Sequence, residues 1–440
     1  MSALNTDLYE LTMAAGYFAA GKTREIATFE LMVRRLPEHR NFLVAAGLRQ
    51  AVEYLLNLRF RTEEIEYLRS LVQFQNAPAE FFGFLRDLRF TGDLFAMPEG
   101  TPYFPGEPLA IIRAPLIEAQ LVETYLLSTL SFQTSVASKA ARCVLAAQGR
   151  PIVEFGSRRA HSPEAGILAA RAAYIGGCEG TSNTEAGMRF GIPVSGTAAH
   201  SWTMAFEKEE DAFRALQKLL GKETIFLIDT YDTLAGARIA AKLGRPCWGV
   251  RLDSGDLETL SRQVRVILDD AGLPDAKIMA TNDLDEHRIA EFVRAGAPID
   301  GFGVGTQLAT SADAPALSAV YKLVELRSAE SIHYTAKFSG EKSTIPAAKQ
   351  VYRSAQSDTV AIFNECNSEF TGRPLLRPVI SEGALVEALP SLKESQNCAA
   401  EGIAALPREL LSINKAAAYE ITISPRLLRL AEDVRREHFA

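Results

Sequence analysis

Several side chains that could bind anions follow short apolar runs between residues 151 and 310. An arginine, a carboxylate, an amide or a histidine stands near the end of most runs, and the last run ends in a glycine-rich turn. The set comprises Phe155, Arg158, Thr197, His200, Asp229, Arg251, Asp253, Asn282, Asp283, Gly303, Gly305 and Thr306. Guanidinium groups suit bidentate binding of carboxylates and phosphates, and backbone N–H groups at glycines can approach a phosphate closely. The pattern therefore predicts a site for an anionic substrate.

Most of these residues also have a purely structural interpretation. The glycines of GFGVGT could form only a tight turn, and Arg158 and Arg251 could form surface ion pairs. Asp253 and Asp256 could be carboxylates at a helix N-terminus. Alternatively, Asp253 could hold sugar hydroxyls or, through water, a Mg²⁺ ion that substrate phosphates mainly bind.

His200, in the stretch GTAAHSW, is one of six histidines in the chain. Alone it could be an ordinary core histidine, but arginines and a phosphate-binding turn on the same face favour a chemical role. No second histidine is close enough in sequence to form a metal-ligand pair, which argues against transition-metal hydrolysis. No lysine follows a strand in this region, which argues against a Schiff-base mechanism. The glycine turn matches neither a P-loop nor a dinucleotide-binding fingerprint.

Six apolar runs must position these residues. They are PIVEFG, IPVSGT, TIFLIDT, CWGVRLD, KIMATND and DGFGVGT, and amphipathic helical stretches separate most of them. Alternating strands and helices predict parallel strands with right-handed crossovers. Six such units in a row favour a barrel-like closure, in which the loops after the strands carry the chemistry. An open doubly wound sheet is the alternative.

The flanking regions predict a second domain of the α+β class. We expect an N-terminal domain over residues 1–110, a barrel domain over 111–330, and a C-terminal segment, 331–440, that completes the first domain. Asp7 and Glu10 have the spacing of a capping box for a first helix, and IATFELMVRRL predicts a strand. The prolines of PEGTPYFPGEPLAIIRAP favour edge segments and turns over a central strand.

The composition is that of a globular protein with a sizeable core. Hydrophobic residues make up 47% and charged residues 23% of the 440 residues, and the net charge is -7. No basic patch suggests nucleic acid or an anionic membrane as a partner, and the first residues lack the pattern of a secretory signal. No apolar run approaches membrane-spanning length, so we expect a soluble, cytoplasmic protein. The scattered Cys143, Cys178, Cys247, Cys366 and Cys398 are expected to be reduced core thiols.

Six ordered stretches closely resemble the nicotinate phosphoribosyltransferase family. They are TDLYELTMAAGYF, EFGSRRAHSPEAG, YIGGCEGTSNTEAGMRFGIPVSGTAAHSW, GVRLDSGDL, GFGVGTQL and KQVYR, from residue 6 to beyond 350. The resemblance implies a type II phosphoribosyltransferase fold, with an irregular α/β-barrel domain and an α+β domain. It implies transfer of phosphoribosyl from phosphoribosyl pyrophosphate to nicotinate, coupled to ATP and supported by Mg²⁺, in the Preiss-Handler route of NAD biosynthesis. It also implies a homodimer with active sites at the interface.

The resemblance assigns roles to individual residues. His200 matches a phosphorylated histidine, and Arg251 matches the arginine that holds the nicotinate carboxylate. Phe155 and Tyr9 match two aromatic side chains that sandwich the pyridine ring, with Tyr9 expected from the other subunit. Further nicotinate contacts are implied for Arg158, Ser182 and Thr197, phosphoribosyl pyrophosphate contacts for Asn282, Asp283, Gly303, Gly305 and Thr306, and a catalytic role for Asp253.

Two serines bear on the choice of substrate. Related nicotinamide enzymes carry an aspartate where this chain has Ser182, and without that acid the arginines lack a partner, which favours an acidic substrate. Ser182 also has the spacing of a capping box with Glu185. Ser157 stands where we expect a larger apolar residue, so it could loosen packing of the Phe155 ring. A nicotinamide or quinolinate phosphoribosyltransferase, or a phosphosugar-binding barrel isomerase, are the alternatives.

Overall fold

The computed structural model describes residues 2–328, 331–338, 344–365, 370 and 372–439, so the predicted core thiol Cys366 lies outside the described residues. Its helices are α1 (Leu8–Ala19), α2 (Leu48–Leu56), α3 (Thr62–Ser70), α4 (Ala79–Asp87), α5 (Leu116–Leu121), α6 (Glu123–Ala147), α7 (Pro163–Ile175), α8 (Thr184–Phe190), α9 (His200–Met204), α10 (Glu209–Leu220), α11 (Thr233–Leu243), α12 (Leu257–Asp270), α13 (Glu286–Arg294), α14 (Thr306–Ala309), α15 (Leu392–Ala404) and α16 (Pro425–Phe439). Its strands are β1 (Ile26–Val33), β2 (Leu43–Val44), β3 (Asp93–Ala96), β4 (Pro102–Tyr103), β5 (Pro108–Pro115), β6 (Ile152–Glu154), β7 (Gly180–Thr181), β8 (Ile225–Leu227), β9 (Gly249–Leu252), β10 (Lys277–Ala280), β11 (Gly301–Val304), β12 (Ala319–Arg327), β13 (Ile332–Tyr334), β14 (Lys349–Arg353), β15 (Ser357–Ile362), β16 (Arg373–Pro374), β17 (Arg377–Ser381), β18 (Ala384–Leu385) and β19 (Glu420–Ile423).

The chain forms two compact units. The first comprises Met1–Ser135, Ala316–Ser412 and Ala416–Ala440, and the second comprises Val136–Pro315 and Ile413–Lys415. These divisions differ from the boundaries we predicted near residues 110 and 330. The physical reason is strand pairing, because β5 and β12 both pair with β1 in the sheet of the first unit.

The first unit is built around an antiparallel sheet whose strands come from both sides of the second unit in sequence. Within the described residues this sheet has seven strands in the order β13-β12-β1-β5-β3-β17-β18. Strand β1 forms as IATFELMVRRL predicts, and its Ala27, Phe29, Leu31 and Val33 lie in the apolar core. The Phe29 ring stacks on Tyr321 of β12, with ring centroids 4.6 Å apart.

Strand β5 corrects one prediction. We expected edge segments and turns from the prolines around residues 98–115, but β5 lies between β1 and β3 near the middle of the sheet. Pro108 and Pro115 occupy the first and last positions of the strand. A proline at a strand end removes no hydrogen bond from the centre of the ladder, so the apolar residues between the two prolines pair normally.

Helix α1 begins after Asp7, but the predicted capping box is wrong. The Asp7 side chain accepts no hydrogen bond from the first turn of the helix. Glu10 is fully buried and accepts hydrogen bonds from the Thr6 hydroxyl and from Thr124, whose N–H lies 2.9 Å and hydroxyl 2.6 Å from Oε1. Burial raises the pKa of Glu10 to about 7, and the Thr124 and Thr6 hydrogen bonds act in the opposite direction.

The second unit contains a parallel sheet with helices between successive strands. Within the described residues it has six strands in the order β7-β6-β11-β10-β9-β8, and it curls into half a barrel with β7 and β8 at its edges. This curled sheet confirms the predicted irregular α/β-barrel class. The carboxyl ends of its parallel strands meet along one edge. The Asp256 carboxylate caps α12 as proposed, by accepting from the Thr259 N–H and hydroxyl.

One of the six predicted strands does not form. The run IPVSGT contains only an isolated bridge, in which Val194 lies parallel to Thr181. Pro193 has no N–H to donate, and its carbonyl accepts from the Thr181 N–H over 3.0 Å. The edge strand at this position is β7, formed by Gly180 and Thr181, which we had not predicted.

The four described cysteines form no disulfide, but they are not all in the core. Cys143 and Cys178 are buried, whereas Cys247 and Cys398 are half-buried. The prediction of core thiols therefore holds for two of these four residues. None of the described helices is both long enough and apolar enough to cross a membrane.

Candidate active site

A cavity of about 260 Å³ opens at the carboxyl edge of the second unit's parallel sheet. Its walls come from the loops that follow β6, β7, β9, β10 and β11, together with the segment before α9. The lining residues are Phe155, Arg158, Arg159, Ser182, Gly196, Thr197, Arg251, Asp253, Thr281, Asn282, Asp283, Gly303, Gly305 and Thr306. Most residues that the sequence assigned to substrate binding therefore lie together, while Arg159, Gly196 and Thr281 were missed.

Arg251, at the third position of β9, is held by three side chains of the pocket. Its Nη1 donates to the Thr197 hydroxyl over 2.6 Å, its Nη2 to Asp253 Oδ1 over 2.6 Å, and its Nε to the Thr281 hydroxyl over 2.8 Å. The guanidinium carbon lies 5.9 Å from the centroid of the Phe155 ring. Arg251 is therefore a fixed, permanent positive charge next to an aromatic wall.

The electrostatics of Arg251 correct part of the reasoning on Ser182. We expected the arginines to lack a negative partner, but Asp253 neutralises Arg251 directly. Burial acts to raise the pKa of Asp253, but the charge of Arg251 and a hydrogen bond from Thr281 outweigh it, and the pKa is lowered. Arg158 and Arg159 are exposed at the pocket, and the described side chains offer them no ion pair. The excess positive charge therefore belongs to these two residues.

His200 lies beside the cavity rather than in its lining. It is the first residue of α9, and its Nδ1 is 3.2 Å from the Thr230 hydroxyl. Its Nε2 is 3.6 Å from Asp253 Oδ2, on the side of that carboxylate away from Arg251. His200 is thus linked to the pocket through Asp253.

Asp229 supports the loop that carries Asp253. Asp229 Oδ2 accepts from the Asp253 N–H over 3.1 Å and from the Ser254 hydroxyl over 2.5 Å. Its other oxygen, Oδ1, is buried and has no hydrogen-bond partner among the described residues. An acceptor oxygen next to the pocket therefore remains unused by the protein.

The glycine turn after β11 brings the backbone against Phe155. A Cβ atom at Gly303 would lie 2.6 Å from the Phe155 ring, so only glycine allows this approach. After the neighbouring strand β10, Asn282 and Asp283 have positive φ angles of 93° and 45°. Left-handed backbone at non-glycine residues is costly and often marks functional loops.

The serines predicted to matter occupy the loops after β6 and β7. Ser182 lines the cavity, but the capping box we predicted for it is wrong, because Asn183 caps α8 by accepting from the Ala186 N–H. Asn183 also donates from Nδ2 to the Ser157 hydroxyl over 3.0 Å. Ser157 thus contributes a hydrogen bond at the position where we expected apolar packing.

Tyr9 lies on α1 in the first unit and does not line the cavity. Its side chain is 46% exposed. Partial burial, followed by the charges of Glu123 and Glu10, raises the pKa of Tyr9, so the phenol stays protonated at neutral pH. Among the described residues, no three or more His, Cys, Asp and Glu side chains cluster so that they could hold a metal ion.

Sequence models of one enzyme family match most of the chain. The N-terminal domain of nicotinate phosphoribosyltransferase matches residues 4–131, the nicotinate phosphoribosyltransferase family matches residues 151–352, and the C-terminal domain of nicotinate phosphoribosyltransferase matches residues 364–431. All three models describe the same enzyme, so the two ends of the chain and its centre indicate the same family.

Individual relatives agree with the family models. The chain is 44% identical to nicotinate phosphoribosyltransferase pncB2 of Mycobacterium tuberculosis, with 97% of this chain and 93% of that protein covered. It is 39% identical to nicotinate phosphoribosyltransferase of Bacillus subtilis, with 96% and 92% covered. Among solved structures, human nicotinic acid phosphoribosyltransferase superposes with a TM-score of 0.84 at 29% identity, over 97% of this chain and 99% of that one.

Proposed function

The chain belongs to the nicotinate phosphoribosyltransferase family, and we propose that it transfers phosphoribosyl from phosphoribosyl pyrophosphate to nicotinate, coupled to ATP hydrolysis. The products are nicotinate mononucleotide, a precursor of NAD, and pyrophosphate. One observation carries this proposal. Arg251 is held by Thr197, Asp253 and Thr281 beside the Phe155 ring, in a cavity lined by two further arginines.

Nicotinate is a flat ring with one carboxylate, and the cavity offers a partner for each part. The Phe155 ring provides a surface on which the pyridine can stack. Arg251 presents its remaining N–H groups in a fixed orientation, while Arg158 and Arg159 add positive charge that the described side chains leave unpaired. Ser182 adds no negative charge, so a carboxylate is preferred to an amide.

Phosphoribosyl pyrophosphate would occupy the part of the cavity that the glycine turn lines. The turn at Gly303, Gly305 and Thr306 exposes backbone to the cavity, which suits the 5-phosphate. The carboxylates of Asp253 and Asp229, with the unpartnered Oδ1 of Asp229, have the oxygen chemistry that Mg²⁺ prefers. A bound Mg²⁺ ion would neutralise charge on the pyrophosphate as it leaves.

The residues of the cavity need only orient the substrates and stabilise the charges that develop during the reaction. Displacement of pyrophosphate from C1 of the ribose passes through a state with positive charge on the sugar, and the pyridine nitrogen supplies the electron pair for the new bond. Fixed hydrogen-bond donors and charges aimed at the leaving group contribute most in such a reaction. The ionised Asp253 lies in the same cavity and would stabilise the positive sugar.

His200 would connect the site to ATP. In this step Nε2 forms a bond to the γ-phosphorus of ATP while the bond from that phosphorus to the β-phosphate oxygen breaks, and ADP leaves. Water then breaks the Nε2–phosphorus bond, so that phosphate leaves and His200 is regenerated. Thr230 lies at Nδ1, so Nε2 faces Asp253 and the cavity. Because Nε2 lies 3.6 Å from Asp253 Oδ2, a phosphoryl group on Nε2 would add negative charge beside the Arg251–Asp253 pair and would change how the cavity binds anions.

The His200→Ala variant tests the coupling. We expect wild-type protein to form nicotinate mononucleotide faster with ATP than without, and His200→Ala to lose ATP hydrolysis and this stimulation while keeping slow ATP-independent turnover. His333→Ala, which changes an exposed histidine on β13, is the matched control and should behave as wild type. Unchanged ATP consumption in His200→Ala would contradict the role of this histidine.

We also propose a homodimer in which Tyr9 reaches the cavity of the partner subunit. Leu8, Tyr9 and Met13 expose apolar surface on α1, with exposed fractions of 43%, 46% and 36%. Exposed apolar groups clustered on one helix are typical of an interface. Light scattering should give twice the monomer mass, and a monomer at assay concentration would contradict this proposal.

Nicotinamide is the second candidate substrate, and the Arg251–Asp253 pair is the observation that favours it. A carboxylate in the pocket could accept hydrogen bonds from the nicotinamide NH₂ group. The unpaired Arg158 and Arg159 favour the acid over the amide. Quinolinate carries two carboxylates, and an isomerase would release no pyrophosphate, so product analysis separates both from the proposed reaction.

A further inference from the structure

Glu154 is a buried carboxylate that the transfer reaction does not use. It is the last residue of β6, its side chain has no solvent exposure, and it directly precedes Phe155. No cation pairs with it in the part of the chain that the structure describes. Burying a carboxylate without a cation is costly, so its presence requires a local reason.

Two donors from different loops hold this carboxylate. The Gly156 N–H, in the loop after β6, donates to Oε1, and the Thr181 hydroxyl, at the end of β7, donates to Oε2 over 2.6 Å. Burial raises the pKa of Glu154, although both hydrogen bonds act to lower it. Glu154 therefore links the segments that follow two neighbouring strands.

The link continues beyond Glu154 into a closed network. The Thr181 hydroxyl also accepts from the Asn183 N–H over 3.0 Å, and Asn183 Nδ2 donates to the Ser157 hydroxyl over 3.0 Å. The Ser182 N–H donates to the Glu154 carbonyl over 2.9 Å. Hydrogen bonds from the residues on both sides of the cavity residue Ser182 thus connect the two loops.

The β6 loop also has little freedom to move towards α14. A Cβ atom at Gly156 would lie 2.3 Å from Ala309 Cβ and 2.8 Å from the Gly305 carbonyl oxygen. The Phe155 N–H donates to the Val304 carbonyl over 2.8 Å. Without the Glu154 link, the free direction for this loop is away from the glycine turn, which would change the position of the Phe155 ring.

We propose that Glu154 is a positioning residue that sets the distance between the Phe155 ring and the Ser182 segment, and so determines affinity for the pyridine substrate. This inference rests on the proposed function. It predicts an effect on pyridine binding with little effect on the transfer step, because Glu154 touches no reacting atom.

Thr181→Val is the sharpest test, since it removes the hydroxyl that bonds Glu154 without changing a cavity-lining residue. We expect KM for nicotinate to rise about 10-fold, as for loss of one buried hydrogen bond, with kcat and KM for phosphoribosyl pyrophosphate within about twofold of wild type. Thr181→Ser restores the hydroxyl and should restore KM. Glu154→Gln, which replaces an acceptor by a donor facing these groups, should raise KM in the same way.

Thr224→Val is the matched control for a merely structural effect. Like Thr181, Thr224 is fully buried, and its hydroxyl donates one hydrogen bond, to the Gly221 carbonyl over 2.7 Å. It lies just before β8, at the edge of the sheet opposite to β7. Equal loss of thermal stability in both variants with KM changed only in Thr181→Val supports the inference.

Two outcomes are distinguishable failures. Nicotinate turnover by wild type with an unchanged KM in Thr181→Val and Glu154→Gln overturns the inference alone. A wild-type protein that neither turns over nicotinate nor binds it in calorimetry overturns the proposed function and this inference with it.

Discussion

Two arginine–carboxylate groups in this chain have similar partners but different surroundings. In the first unit, Arg353 pairs with Asp358 through Nη2 and Oδ2 at 2.5 Å, and its guanidinium lies over the rings of Phe104 and Tyr419. In the second unit, Arg251 pairs with Asp253 at 2.6 Å beside one ring, Phe155.

The difference lies in what remains available to a ligand. Asp358 and Glu107 have no solvent exposure, and burial together with Asp358 raises the pKa of Glu107 well above its usual range. Asp253 keeps 25% of its side chain exposed and borders a cavity. The two guanidinium side chains are about equally exposed, at 10% and 12%, so the difference lies in the carboxylates. A pair whose carboxylate is fully buried serves the fold, whereas a pair whose carboxylate borders an open cavity leaves binding capacity for a substrate.

The largest effect is expected from Arg353→Met. The change leaves two buried carboxylates without their cation, so the free energy of unfolding should fall by about 3 to 5 kcal/mol in urea denaturation. Arg373→Met, at an exposed position on the adjacent β16, should change it by less than about 0.5 kcal/mol. Equal effects of the two variants would mean that enclosure does not distinguish Arg353.

Arg251→Met should have the opposite profile. Asp253 is 25% exposed, so we expect a smaller loss of unfolding free energy than for Arg353→Met, about 1 kcal/mol. The kcat/KM for nicotinate should fall about 100-fold or more because fixed hydrogen-bond donors at the cavity are lost. Arg251→Lys keeps the positive charge but lacks the planar guanidinium group, so its kcat/KM should lie between the values of wild type and Arg251→Met. A large stability loss with normal turnover would place Arg251 in the same class as Arg353.

The sequence was informative about the cavity because parallel strands bring their carboxyl ends to one edge. Reading only the residues after each apolar run identified Arg251, Asp253 and Asn282 without any distance information. The sequence did not identify Thr281 as a site residue, because its role depends on where its hydroxyl lies relative to Arg251 and Asp253. Arg159 was adjacent to a predicted residue, and its run SRR was the signal that could have found it.

The misses share a cause, since local patterns do not specify tertiary partners. The Asp7–Glu10 spacing suits a capping box, but Thr124, distant in sequence, competes for Glu10. Proline content disfavoured β5, although both prolines stand at its ends. The Arg251–Asp253 pair lies within one short stretch, yet only the side-chain directions reveal that the charges cancel.

Product formation by the wild-type protein decides what the cavity accepts. Nicotinate and nicotinamide would each be mixed with phosphoribosyl pyrophosphate and Mg²⁺, with ATP present, and the mononucleotides and pyrophosphate quantified. We expect kcat/KM for nicotinate to exceed that for nicotinamide by about 100-fold or more, because the neutral amide forms no ion pair with the arginines. Equal or faster turnover of nicotinamide would contradict the proposed recognition of the carboxylate.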